Sequence, residues 1–488
     1  MTTDTVKRWT LFHGALTGPE RTAAIELQRG VQFYLPYVLP VRPSAGGIEG
    51  AEHLLLVGTV ASNPLLAKLL AELPVEKRLS APTTPGSYLL HVGPNPWNAD
   101  TRVIAVVGAD AAGTLHGVAE MLAVISTGGV PLDMAHARRA RIDGLFDFTV
   151  AEAPAVAERG LWTWGYVIHD YRRYLDNMVR LRLNTLTMWN DVVPVNMAEI
   201  LDYAHDRGIA VHVGFPWGWG VKELDISKAA DRATIRDSVL KTWREQYAGR
   251  PIDGLYFQTI TEHTTQEIEG RSVASWCCEL INPIARELWK LRPDLPIQFG
   301  LHATSIAERF RDLDALDPRL TITWEDAGAL PFSVNPKPEG HGAALPHGYE
   351  STLAYAKRLA QWRPGSRFAM VPKGWMMLRW GVEFEHHGPF ICGERSPAAI
   401  SERLAARQGE WDWNNQLWLR HYPLAARFYR ELLACAPQGL LATALVEDAL
   451  FEERIQSSVA LFAETLWNPF QSDADILVRT MRPYTAQA

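Results

Sequence analysis

Ile252-Asp-Gly-Leu-Tyr-Phe-Gln-Thr-Ile-Thr-Glu-His-Thr-Thr-Gln-Glu267 falls into two physically different halves. Residues 255–260, Gln258 apart, are apolar, aromatic or β-branched, a composition that predicts a short buried strand. At Thr261-Glu262-His263-Thr264-Thr265 the apolar surface runs out and a polar tip begins. Downstream, Ser272 is a suitable N-cap, and Cys277, Leu280, Ile281, Ile284, Leu288 and Leu291 fall on one helical face. Strand, polar tip and helix form the repeating unit of a parallel α/β barrel, which places its chemistry at the carboxyl ends of the strands. Glu262 stands at such an end.

The same alternation recurs outward from this stretch. Strands are expected at 160–164, 185–189, 209–215, 255–260, 297–301, 320–324, 368–371 and 440–446, with 145–150 a rival for the first. Tyr171, Tyr174, Leu175 and Met178 form one intervening helical stripe; Met197, Ile200, Leu201 and Ala204 form another. The expected fold is therefore α/β: a (β/α)₈ TIM barrel with C-terminal helices over 141–488. A small α/β accessory domain is expected over 1–140, with strands at 54–58, 88–92 and 102–108. Gly108 and Gly113 flank a strand-to-helix turn there, but neither the dinucleotide nor the Walker pattern is present, so they are read as packing glycines.

Composition narrows the function. The 488 residues are 47% hydrophobic and 21% charged, and the net charge of −7 comes with no basic stripe, which argues against a nucleic-acid partner. No apolar run has the length of a signal peptide or a bilayer span, and the four cysteines (277, 278, 392 and 435) show no zinc or redox spacing. A cytoplasmic enzyme with no membrane partner is the simplest expectation; a homo-oligomer is compatible with it. The eighteen tryptophans are many. Most are expected in cores, but indole faces also stack on pyranose rings.

With the strands placed this way, the residues that follow them converge on one mouth. Trp164 and Asp170 come from the first strand, Asn190 and Asp191 from the second, Trp217 and Trp219 from the third. Glu262 and His263 follow the fourth, His302 the fifth, Glu325 and Asp326 the sixth. Lys373 and Trp375 follow the seventh, with Arg379 further along the same loop, and Glu447 follows the eighth. Paired carboxylates among indoles are what glycosidic cleavage requires: one carboxylic acid protonates the leaving oxygen, and a second carboxylate attacks or activates water. Glu262 is the expected acid; Glu325 or Asp326 is its partner, and strict strand alternation lets only one of that pair enter the mouth. Among the histidines there is no H-x-H or H-E-x-x-H spacing, so neither metal nor other cofactor is expected.

Several segments resemble known families. The accessory domain ending in Gly108-Ala-Asp-Ala-Ala-Gly-Thr-Leu-His-Gly-Val-Ala-Glu-Met-Leu122 is similar to the domain preceding the barrel in α-glucuronidases and β-N-acetylhexosaminidases. Phe257-Gln-Thr-Ile-Thr-Glu262 lies where α-glucuronidases carry their general acid, and Trp467-Asn-Pro469 is similar to the close of their barrel. Thr261 stands where the hexosaminidase Asp-Glu pair has Asp, and Lys373 where other retaining barrels have a nucleophilic Glu. The resemblance thus implies a relative acting on another small glycoside or oligosaccharide, exo-acting and inverting. Two other readings remain: a non-hydrolytic carbohydrate-binding barrel, and a metal-dependent lyase or isomerase of sugar acids using His263, His302 and Lys373.

Overall fold

A computed structural model describes residues 7–73, 80–126, 142–221, 223–262, 265–302, 305–325, 348–363, 365–373, 388–446 and 450–482. The first unit is a six-stranded sheet made of β1 (Trp9–His13), β2 (Val41–Pro43), β3 (His53–Thr59), β4 (Tyr88–Pro94), β5 (Arg102–Gly108) and β6 (Phe148–Glu152). Its strand order is β2-β1-β3-β5-β4-β6. All neighbours are parallel except β4, which runs antiparallel to β5 and β6.

Both faces of this sheet are covered, which explains its nearly unbroken apolar runs. Leu55, Val57, Leu90, Ile104 and Val106 share one core with helices Gly18–Gln32 and Ala111–Ser126. Phe12, Leu54, Leu56, Leu89 and Val107 pack under helix Pro64–Glu72 on the other face. Gly113 serves packing, as its sequence context implies: a Cβ there would lie 2.2 Å from the Ser87 carbonyl oxygen. The sheet extends beyond residue 140, since β6 pairs with β4 along residues 148–152. The rival stretch at 145–150 therefore supplies the edge of this sheet and not a barrel strand.

The second unit is a closed ring of eight parallel strands: β7 (Glu158–Trp164), β8 (Thr185–Trp189), β9 (Ala210–Pro216), β10 (Gly254–Gln258), β13 (Ile297–Leu301), β14 (Thr321–Trp324), β15 (Phe368–Met370) and β16 (Leu440–Leu445). A short hairpin, β11 (Glu267–Ile268) with β12 (Arg271–Ser272), is set into the connection after β10. Each strand pairs with its neighbours in chain order, and β16 returns to β7. The fold is a (β/α)₈ barrel with an additional α/β unit.

Period-two alternation sorts every barrel strand into an outer and an inner row. Outward side chains such as Leu161, Leu186, Val213, Phe257 and Phe299 join the core shared with the surrounding helices. Inward ones form a second, separate cluster of Trp162, Trp164, Trp189, Tyr256, Val371 and Leu445. Trp217 stacks on Phe257, with ring centroids 3.8 Å apart, and so belongs to the outer core. No helix among the described residues is long and apolar enough to cross a membrane.

The two units meet over a buried ionic cluster. Arg182 follows helix Tyr171–Arg180 with a left-handed φ of 57°. It donates to Glu120 of the first unit at 2.9 Å and to Glu464 of helix Ser457–Trp467. Arg479 grips Glu152 at 2.8 and 2.9 Å and reaches Glu464 at 3.2 Å, while Arg482 bonds Glu120 at 2.7 Å. Trp467 Nε1 and Tyr88 Oη both donate to Glu152 at 2.7 Å. Three guanidinium groups thus balance three carboxylates where the sheet, the barrel and the C-terminal helices join.

Candidate active site

The polar row at the carboxyl ends of β10, β13 and β14 is positioned by the strand ladder itself. Glu325 N donates to Leu301 O at 2.9 Å, carrying the β13–β14 pairing one residue further and turning Glu325 inward on the same face as Thr323. Its side chain is only 4% exposed. Gln258, the last residue of β10, donates its amide to Glu325 Oε1 across β13. Lys373 Nζ lies 3.9 Å from that same oxygen. Glu325 Oε2 is buried and has no hydrogen-bond partner among the described residues.

Glu262 lies four residues beyond β10, on a tip tied down by its neighbour. Thr261 is fully buried; its hydroxyl accepts from His302 N at 3.2 Å and its carbonyl from Ser305 N at 3.3 Å. The Glu262 side chain is 40% exposed, and its Oε2 accepts from Trp219 Nε1 at 2.8 Å. His302 stands between the two carboxylates: its Nε2 is 3.9 Å from Glu262 Oε2 and 3.5 Å from Glu325 Oε2. The separation of those oxygens cannot exceed the two distances laid end to end. That upper limit admits both the roughly 5–5.5 Å of a retaining carboxyl pair and the lower part of the roughly 6.5–9.5 Å of an inverting one.

Aromatic rings wall this mouth. Trp164 lies edge-on to Trp189 at 5.7 Å, Trp189 edge-on to Trp219 at 6.0 Å, and Tyr256 edge-on to Trp162 at 5.9 Å. Asn190 is buried beside Gly165, and neither end of its amide has a hydrogen-bond partner among the described residues.

Gly300 makes this arrangement possible. A Cβ at residue 300 would sit 2.3 Å from Tyr256 Oη and 2.9 Å from Glu325 Oε2. Gly300→Ala is expected to destabilise the fold by about 1–3 kcal/mol through overpacking. By displacing Glu325 it is also expected to lower turnover up to about a hundredfold. Urea melts and kcat on one aryl glycoside check both; an unchanged kcat would mean that Gly300 is not spacing the site.

The inferred inventory is thus partly assembled. Glu262, His302, Glu325, Lys373 and Trp219 come together, Trp164 joins them only through Trp189, and Asn190 packs beside Gly165. Asp191 is exposed and accepts from Trp189 Nε1 at 3.4 Å. Two candidates are corrected. Asp170 spends its carboxylate as the N-cap of helix Tyr171–Arg180, accepting from Arg173 N at 3.0 Å, because it is the last extended residue before that helix. Trp217 points into the outer core, as alternation past Phe215 dictates. His263, Asp326, Trp375, Arg379 and Glu447 lie outside the described residues.

Sequence reasoning passed over Gln258, Tyr256 and Gly300, although counting by twos from Gly254 and from Gln298 places them on the inner row. His212 lies lower in the barrel bonded to Gln298, and burial drives its pKa down. Among the described residues no group of three or more His, Cys, Asp or Glu is placed to hold a metal ion.

No protein-family model and no curated protein sequence matches the chain. Among solved structures, "Structure of CpGH84B", a glycoside hydrolase family 84 enzyme, aligns over 99% of this chain and 93% of its own at 11% identity and a TM-score of 0.41. "Crystal structure of C-terminal domain of putative chitinase from Desulfitobacterium hafniense DCB-2" aligns over 41% of this chain and 62% of its own, at 11% identity and a TM-score of 0.28. Neither is described as an α-glucuronidase or a β-N-acetylhexosaminidase. Likenesses this remote carry no argument about the site, whose chemistry rests on its own geometry.

Proposed function

We propose that the protein is an exo-acting, inverting glycoside hydrolase in which Glu262 is the general acid and Glu325 the general base. One observation carries the reading. A half-exposed carboxylate and an enclosed one both lie within 4 Å of a single histidine nitrogen, in an aromatic-walled mouth at the carboxyl end of a barrel.

The half-open group is suited to meet a leaving oxygen at the rim. The enclosed one is suited to hold a water beneath the anomeric carbon, with Gln258 and Lys373 fixing its other oxygen. Trp219, half-buried at the rim and bonded to Glu262, offers its indole to a pyranose ring, with the buried Trp164 and Trp189 packed behind it. The α-glucuronidase and hexosaminidase likenesses leave the sugar open, so uronides belong in the substrate panel.

A panel of aryl glycosides, with NMR detection of the first-formed anomer, tests the activity and its stereochemistry. Glu262→Gln is expected to slow glycosides with poor leaving groups at least about a hundredfold while largely sparing activated aryl glycosides, which need no protonation. A variant that cleaves an alkyl glycoside at the parent rate would remove Glu262 from the acid role.

A further inference from the structure

We infer that His302 is a proton relay that resets the site between turnovers, returning to Glu262 the proton that Glu325 has taken. The inference rests on the acid–base reading above. In an inverting cycle Glu262 gives a proton to the leaving oxygen and Glu325 removes one from the attacking water. The product state therefore holds Glu262 as carboxylate and Glu325 as carboxylic acid. A second cycle cannot begin until one proton has crossed between them.

The surroundings of Glu325 leave few routes for that proton. Its side chain is 4% exposed, so while the product occupies the mouth its exchange with bulk water is restricted. Its Oε1 faces Gln258, which does not titrate, and Lys373, an ammonium that has no lone pair to receive a proton. Its Oε2 faces His302 Nε2 at 3.5 Å, and the same nitrogen is 3.9 Å from Glu262 Oε2. Both distances are slightly beyond hydrogen-bond length, so a modest swing of the ring brings Nε2 onto one carboxylate or the other. At the far side of the ring, Nδ1 is buried and has no hydrogen-bond partner among the described residues.

The steps balance. The Glu325 Oε2–H bond breaks as Nε2–H forms, giving an imidazolium and a carboxylate. Nε2–H then breaks as Glu262 Oε2–H forms, restoring the neutral ring with its proton on Nδ1. One proton has moved, every electron pair stays on its heavy atom, and no co-reactant is consumed.

The test separates the first turnover from later ones, using His302→Ala with an aryl glycoside that the parent protein cleaves. The relay requires a burst of about one product per active site at near the parent rate, followed by steady-state turnover at least about tenfold slower. Added imidazole, able to occupy the vacated space, is expected to restore the steady state without changing the burst. If first and later turnovers fall together, or neither falls, the relay is wrong and His302 is structural or dispensable. Should His302→Ala not fold, His302→Gln supplies the same comparison of burst and steady state. A parent protein that completes not even a first turnover on any glycoside would fail the hydrolase reading itself and take the relay with it, an outcome distinct from loss of the burst pattern alone.

Discussion

Replacing Glu325 by glutamine is expected to cut kcat by about 10²–10⁴-fold on every glycoside the protein cleaves, with little change in stability. The size of the effect follows from the role. A base that takes the proton of the attacking water is needed whatever the leaving group, so activated aryl glycosides are not spared. This distinguishes Glu325→Gln from Glu262→Gln, whose deficit depends on the leaving group. The small structural cost follows from geometry: the amide keeps the carboxylate's volume, and its carbonyl oxygen can still accept from Gln258. Azide supplied as an external nucleophile offers a further check, since it needs no base and is expected to restore turnover to Glu325→Gln but not to Glu262→Gln acting on a poor leaving group. Turnover in Glu325→Gln within threefold of the parent value would end the assignment.

Replacing Arg182 by methionine is expected to destabilise the protein by about 3–5 kcal/mol, the usual consequence of removing one partner from a buried ion cluster. Arg182 is almost wholly buried, and its guanidinium serves Glu120 and Glu464 while lying 4.7 Å over the Trp467 ring. Without it Glu464 keeps only Arg479 among the ion pairs described, and Glu120 only Arg479 and Arg482. Adding Glu464→Gln to Arg182→Met is expected to recover part of the loss, because a buried carboxylate that has lost one of its guanidinium partners is then gone. Urea unfolding of the two single variants and the double measures this, and additive losses would show that the pair is not coupled.

The same cluster sets an acid limit. For Glu152, burial opposes ionisation, but hydrogen bonds and charge from Arg479, together with Arg182, more than offset it and bring the pKa down from 4.5 to about 2. The folded value lies below the unfolded one, so the stabilisation is fully present above about pH 4.5 and is lost as the pH falls toward 2. Urea midpoints measured between pH 6 and pH 2 are expected to decline across that window, and Glu152→Gln to flatten the decline.

The periodic part of this molecule was legible in its residues. Each of the eight expected barrel strands is present within two residues at either end, and the two helical stripes, from Tyr171 and from Met197, are buried as drawn. A strand or a helix stripe is a local pattern, and burial of one face imposes it on the residues directly. Glu262 and the Glu325–Asp326 pair stood out for a related reason: in a parallel barrel the strand end is where chemistry is expected, but alternation read from the sequence left either member of the pair facing inward, and it is the β13–β14 ladder that turns Glu325 inward.

What local pattern does not encode is which partner a side chain finds across the ring. The bond from Gln258 to Glu325 spans an intervening strand and exists because residue 300 has no side chain. Asp170 has a position in the sequence that suits either a ligand contact or a helix cap, and only the packed structure shows the cap. The cluster of Arg182, Glu120, Glu152, Glu464 and Arg479 joins residues hundreds of positions apart. Such contacts are products of chain closure, and their energies come from burial that no single segment possesses before the units meet.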